Sequence, residues 1–260
     1  MRAVELCLAL ALLVPPAPAP AATPMIDIPA GTFRMGSDSG PADERPAHEV
    51  MLSAFSIDRT PVTNADFAEF LDAHGPRGAK GERYFDDDDP DARIHRVQGR
   101  WRADFPYENH PVVEVPWRGA HKYCARLGKR LPTEAEWEKA ARGTDGRRYP
   151  WGNAAPDATR ARFGAGYNAT APVASHPRGA SPYGVLDMAG NVWQWTSSLY
   201  RPYPYRAGDG REDPASPGPR ATRGGAHDWP AEDITSTHRG RDLSRAPASG
   251  HHNIGFRCAR

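Results

Sequence analysis

The sequence predicts a single loop-rich α+β domain of short strands and about three helices, and three observations carry that prediction. Glycine (25) and proline (27) are frequent enough to interrupt most apolar runs before they reach helical length, which disfavours a helix bundle or a doubly wound sheet. Helix caps followed by apolar residues at helical spacing occur in few places, and the rest reads as short strands and turns. Residues 23–260 show neither an internal repeat nor a linker, and a chain of that length fits around one core. Lysine and arginine number 33 against 32 acidic residues, for a formal net charge of +1. No chain-wide field therefore argues for nucleic acid or a membrane surface as partner.

Residues 1–22 read as a secretory signal: Arg2, an apolar run over residues 6–14, then a Pro/Ala tract ending Ala19-Pro20-Ala21-Ala22. The run is too short to span a bilayer, so the expected location is periplasmic or secreted, with no membrane span. Residues 28–37, IPAGTFRMGS, read as the first strand. Thr63 with Asp66 approximates a capping box before Phe67, Phe70 and Leu71. Ala120, Tyr123, Cys124 and Leu127 repeat at helical spacing and stop at Gly128. Thr133 and Glu136, after Pro132, cap a third helix that carries Trp137 and Ala140 and closes at Gly143.

Two segments between these elements look exposed. Asp86, Asp87, Asp88, Asp89 and Asp91 form an acidic run without the glycine and distal glutamate of an EF-hand calcium loop, so it reads as a solvated loop. Residues 200–220 carry five prolines (202, 204, 214, 217, 219) with Tyr203 and Tyr205, the composition of an ordered loop that lines a cleft or covers the core. Residues 183–196, YGVLDMAGNVWQWT, are the opposite case. Aromatic and aliphatic side chains alternate with Gly184 and Gly190, as in buried, tightly turned backbone, and Asp187, Asn191 and Gln194 then need donors or a hard cation.

This central stretch resembles the corresponding motif of the formylglycine-generating enzyme and sulfatase-modifying factor superfamily. The resemblance extends in order through residues 28–37, 59–71, 110–117, 130–143, 149–153, 222–229 (TRGGAHDW) and 253–260 (NIGFRCAR). It implies a formylglycine-generating-enzyme-like fold with a C-type-lectin-like core. With Cys7 in the leader, the mature chain keeps Cys124 and Cys258, and an oxidising compartment permits their pairing. The resemblance implies the same disulfide; two separate buried thiols are the alternative.

The resemblance also implies what is missing. Relatives of the classical kind hold copper with two cysteines shortly after the Gly-Gly pair; counted back from Asn253, those positions are Trp229 and Ile234, and Ala226 replaces a serine. Formylglycine generation by that mechanism is therefore not expected. A structural calcium ion is implied at Asp187, Gly190, Val192 and Gln194, the last replacing a glutamate. A second family calcium site, near Arg162, Phe163 and Tyr167, has Ala165 in place of its aspartate and is expected to be vacant.

Between Gly225 and Asn253 lie His227, Asp228, Glu232, Asp233, His238, Asp242, His251 and His252, potential ligands and acid–base groups. His227, Asp228, Glu232 and His238 are the catalytic candidates, with a redox metal of unspecified identity as a conceivable cofactor. The alternative is an ordinary solvated surface. Trp193, Arg223, Trp229, Arg241 and Arg245 are the substrate-binding candidates, with Arg239 and Arg257 as further parts of a cationic floor. Three function classes follow. The first is a cysteine-independent oxidoreductase or maturation factor acting on a peptide or small-molecule substrate, like the siderophore-maturing branch of the superfamily. The others are a ligand-binding module and an accessory subunit of a periplasmic enzyme.

Overall fold

A computed structural model describes residues 23–240 and 246–260. The expected signal segment lies outside the described residues. The described residues fold as nine strands and three α-helices in the order β1 Met25–Ile28, β2 Gly31–Met35, β3 His48–Leu52, β4 Phe55–Asp58, α1 Asn64–His74, β5 Ile94–Val97, β6 Arg100–Ala103, α2 Trp117–Arg126, α3 Glu134–Arg142, β7 Trp193–Leu199, β8 Arg220–Arg223 and β9 Ile254–Phe256. This is the loop-rich α+β architecture expected.

The helices form where their caps direct. Thr63 and Thr133 each accept from the backbone N–H three residues on, while Asp66 and Glu136 reach back to the cap N–H, completing both capping boxes. Gly75 and Gly143 end α1 and α3 at φ of 70° and 68°. The first strand differs from expectation, since residues 28–37 divide at Pro29-Ala30 and put β1 and β2 in different sheets. β1 pairs antiparallel with β4, and β2 with β3. The buried Lys139 ammonium holds the corner by donating to the carbonyls of Pro29 (2.7 Å) and Gly31 (2.9 Å).

β7 is the hub. It pairs antiparallel with β8 and parallel with β9, and its Trp193 and Trp195 are completely buried against α1, α2 and the C-terminal strand. The turn into β7 passes through positive φ at Asp187 (54°), Gly190 (73°) and Asn191 (64°). At Gly190 a Cβ would come within 2.2 Å of the Arg162 carbonyl oxygen, so only glycine fits. A Cys124–Cys258 disulfide ties α2 to the end of the chain. The proline-rich segment takes the covering role: Tyr203 and Tyr205 pack on Phe33, Met35, Val50 and Ala135.

Candidate functional site

After β8 the chain turns through Gly224 and Gly225, both at positive φ; a Cβ on Gly225 would meet Ile234 at 2.6 Å and the Asp233 carbonyl at 2.8 Å. That turn lays His227 on the Asn191 carbonyl, which accepts both the His227 backbone N–H (2.9 Å) and Nδ1 (2.8 Å). A carbonyl only accepts, so Nδ1 carries the proton and Nε2 keeps its lone pair. Nε2 is buried and has no hydrogen-bond partner among the described residues. Burial pushes the imidazole pKa down, outweighing the help of the Asn191 hydrogen bond and the Asp228 charge.

Asp228 follows, half buried. It accepts from His252 Nε2 (3.0 Å) and from Asn253 Nδ2 (3.2 and 3.3 Å). Burial raises its pKa, but the hydrogen bonds from His252 and the Asn253 amide outweigh that, and the carboxylate is held below its ordinary range. Trp229 meets Trp193 edge-on, with ring centroids 5.2 Å apart. His238 lies 5.5 Å from Trp193 and 6.3 Å from Trp229. Its ring nitrogens each stand 3.6 Å from a carboxylate, those of Glu44 and Asp233. The arrangement offers a neutral base, an adjacent carboxylate–imidazole pair and flat apolar walls.

Several expected roles are corrected. Glu232 is exposed on the turn Ala231–Asp233, and its neighbour Asp233 is the carboxylate that approaches His238. His227, Asp228, Glu232 and His238 do not converge on one ion position; among the described residues the group of three that does is Asp89, Asp91 and Glu114. Arg223 is no substrate floor. It is fully buried, donating to Glu134 (3.1 Å), Glu138 (2.6 Å) and the Ser236 carbonyl (2.7 Å). Arg239 likewise grips Glu134 at 2.7 and 3.0 Å. Arg257 is buried on the carbonyls of Asp58, Arg59, Leu186 and Asp187, and burial lowers its pKa to about 10. Arg241 and Arg245 lie outside the described residues.

The metal positions implied by the resemblance fare differently from the scaffold. Gln194 Oε1 already accepts from Trp137 Nε1 (2.9 Å) and Arg257 Nε (2.7 Å), and Asp187 Oδ2 accepts from the Ala174 N–H (2.7 Å). A guanidinium thus occupies the Gln194 oxygen of the Asp187, Gly190, Val192, Gln194 set, and those side chains do not fit a calcium cage. Copper fits no better at Trp229 and Ile234, since neither is a soft donor and Ile234 is buried among Tyr149, Ala161 and Ala189.

The acidic loop is joined to the same face. Asp91 accepts from the Tyr167 hydroxyl and the Asn168 amide, and the Tyr167 ring lies 4.2 Å from that of His252. No local sequence signal links these residues, which are far apart in the chain.

A family model described as the sulfatase-modifying factor enzyme 1-like domain matches residues 11–260. The chain is 39% identical to the serine/threonine-protein kinase pkn1 of Chlamydia caviae, over 94% of this chain and 39% of that protein, so it spans about two fifths of that relative. It is 38% identical to the formylglycine-generating enzyme of Streptomyces coelicolor, over 93% of this chain and 92% of that one. Its fold is similar to that of PvdO from Pseudomonas aeruginosa, with a TM-score of 0.69 and 27% identity, over 91% of this chain and 93% of the other.

Proposed function

The chain belongs to the sulfatase-modifying factor family, and from that premise we propose that it acts outside the cytoplasm as an oxidoreductase or maturation factor on a peptide or peptide-derived substrate, with dioxygen as electron acceptor and without a thiolate pair. The observation that carries the reading is the His227 imidazole, held neutral with Nε2 bare, in a chain whose two described cysteines are joined to each other. Such a nitrogen is suited to take a proton from substrate as it is oxidised. Asp228, fixed by His252 and Asn253, places a carboxylate beside it. Trp193 and Trp229 supply the walls against which a substrate is positioned.

The test is oxygen consumption by the purified mature chain with a cell-envelope extract, alongside its metal content. Uptake that is lost in His227→Asn and kept in Asp88→Asn supports the reading. Tight ligand binding without turnover would instead favour a binding module, and co-purification with a larger enzyme an accessory subunit. Conversion of a sulfatase cysteine peptide to the aldehyde would overturn the thiolate-free chemistry.

A further inference from the structure

We propose that Asp89, Asp91 and Glu114 form a binding site for one calcium ion, which ties the acidic loop to the segment before α2. The proposal stands independently of the function proposed above. One oxygen from each of the three carboxylates lies within 4.8 Å of the others, a spread that a single ion with Ca–O bonds of about 2.3–2.6 Å spans.

Acidic clusters alone are common on surfaces, and Glu114 sets this one apart. It is 2% exposed, yet its carboxylate accepts no hydrogen bond and joins no ion pair among the described residues. A carboxylate withdrawn from water without a donor is costly. Its surroundings add to the cost, since burial first, and then the charges of Asp89, Asp86 and Asp91, push its pKa up to about 8. Among the described residues the cations nearby are engaged elsewhere: Arg83 pairs with Asp86 and Asp88, and Arg93 lies over the Tyr107 ring. A divalent cation supplies what the described residues do not.

The backbone holds the three groups in place. Glu114 sits at φ 57°, its carbonyl accepts from the Asp86 N–H (2.9 Å), and its N–H donates to the His251 carbonyl (3.2 Å). Gly250 donates its N–H to Asp86 Oδ2 (2.6 Å) and packs so closely that a Cβ there would lie 2.4 Å from the Glu114 backbone. Asp89 Oδ1 accepts from the Asp91 N–H at 2.9 Å, turning the two aspartates toward each other. The loop thus has its distal glutamate after all, supplied from outside the loop. An ion here is linked through Asp91, Tyr167 and His252 to Asp228.

The experiment is calcium titration calorimetry on the chelator-treated mature chain, with thermal melts in calcium and in EDTA. The wild type should bind one equivalent and melt higher with calcium. Glu114→Gln and Asp91→Asn should each weaken binding by about tenfold or more and abolish the calcium-dependent rise in melting temperature. Asp88→Asn, which removes an exposed charge from the same loop, should change neither. If Glu114→Gln does not fold, Asp91→Asn decides. No binding at millimolar calcium, equal affinity in wild type and the folded triad variants, or loss of binding in Asp187→Asn with retention in Glu114→Gln would each overturn the proposal.

Discussion

Between α3 and β8 every carboxylate oxygen of Glu134 and Glu138 meets a donor, from Arg223, Arg239, Arg142, Tyr203 or the Gly36 N–H, although both glutamates are fully buried. On the face formed by residues 226–229 and 251–253 the reverse holds. Among the described residues, His227 Nε2, Trp193 Nε1 and Asn253 Oδ1 are buried without partners, and no donor meets the carboxylate of the buried Glu114. The first region satisfies both of its buried carboxylates, although Arg142 Nε, Arg223 Nε and Ser236 Oγ lack partners among the described residues, and it reads as architecture. The second withholds polar groups from the fold, which is what a surface built to receive something else requires.

The comparison is broken first on its rigid side. Removing the Cys124–Cys258 bond, which closes a sequence separation of 134 residues, should destabilise the chain by about 4–5 kcal/mol in the chain-entropy account. The check is denaturant unfolding of the Cys124→Ala, Cys258→Ala double variant; free-thiol titration of the denatured, unreduced wild-type chain without residues 1–22, and so without Cys7, should find essentially no thiol. Two reactive thiols per chain would remove the cystine from the architecture.

Next comes the ion lattice. Arg223→Met leaves Glu138 with Arg142 and Glu134 with Arg239, each short of one partner in a site closed to water. The expected loss is about 3–5 kcal/mol, seen as a fall of roughly 10 °C in melting temperature. A melting temperature within about 2 °C of wild type would show that these pairs contribute little to stability.

How legible each region was follows from the range of its contacts. The capping boxes of α1 and α3 lie within four residues, so Thr63, Asp66, Thr133 and Glu136 announced their helices. The burial of residues 185–196 was carried by composition alone. Arg223 was misread because its carboxylate partners are 89 and 85 residues away, and an arginine beside a Gly-Gly turn looks the same whether it faces solvent or a buried glutamate. The candidate site was half legible. His227 and Asp228 are adjacent in sequence, but the bond to His252 and the approach of Tyr167 exist only once β7, β8 and β9 are aligned. Glu114 was invisible for a similar reason: within the apolar run of residues 112–115 it reads as a strand residue, and nothing in the acidic loop's own residues points to a carboxylate more than twenty positions on.

On the receptive face, His227→Asn separates the two roles that Ala would confuse. The imidazole is fully buried, so truncation to Ala would open a cavity and lower stability whatever its chemistry. Asparagine keeps a donor near Nδ1 for the Asn191 carbonyl and deletes Nε2. Oxygen uptake should fall by about a hundredfold or more, while stability at pH 7.5 changes by no more than about 1–2 kcal/mol. A variant with full uptake would turn the bare nitrogen into an ordinary packing defect and erase the contrast between the two regions.

The smallest expected effect concerns pH, and its sign is fixed by the direction of the His227 shift. Burial depresses the folded pKa below 6.5, so as pH falls through 6.5 the unfolded chain takes up a proton that the folded chain refuses. The unfolded state then binds more protons, and stability is lost as pH decreases, by at most about 1.4 kcal/mol per pH unit for this one group. Asparagine does not titrate. The stability of His227→Asn relative to wild type should therefore be constant from pH 8 to pH 7 and move in the variant's favour from pH 6.5 toward pH 5. His110, His121, His176 and His251 are shifted in the same direction by burial and act equally in both proteins, so the difference between paired urea titrations isolates His227. A difference that stays flat to pH 5 would mean that the imidazole takes up its proton in the folded chain as readily as in water. The face would then hold its histidine no differently from a solvated surface.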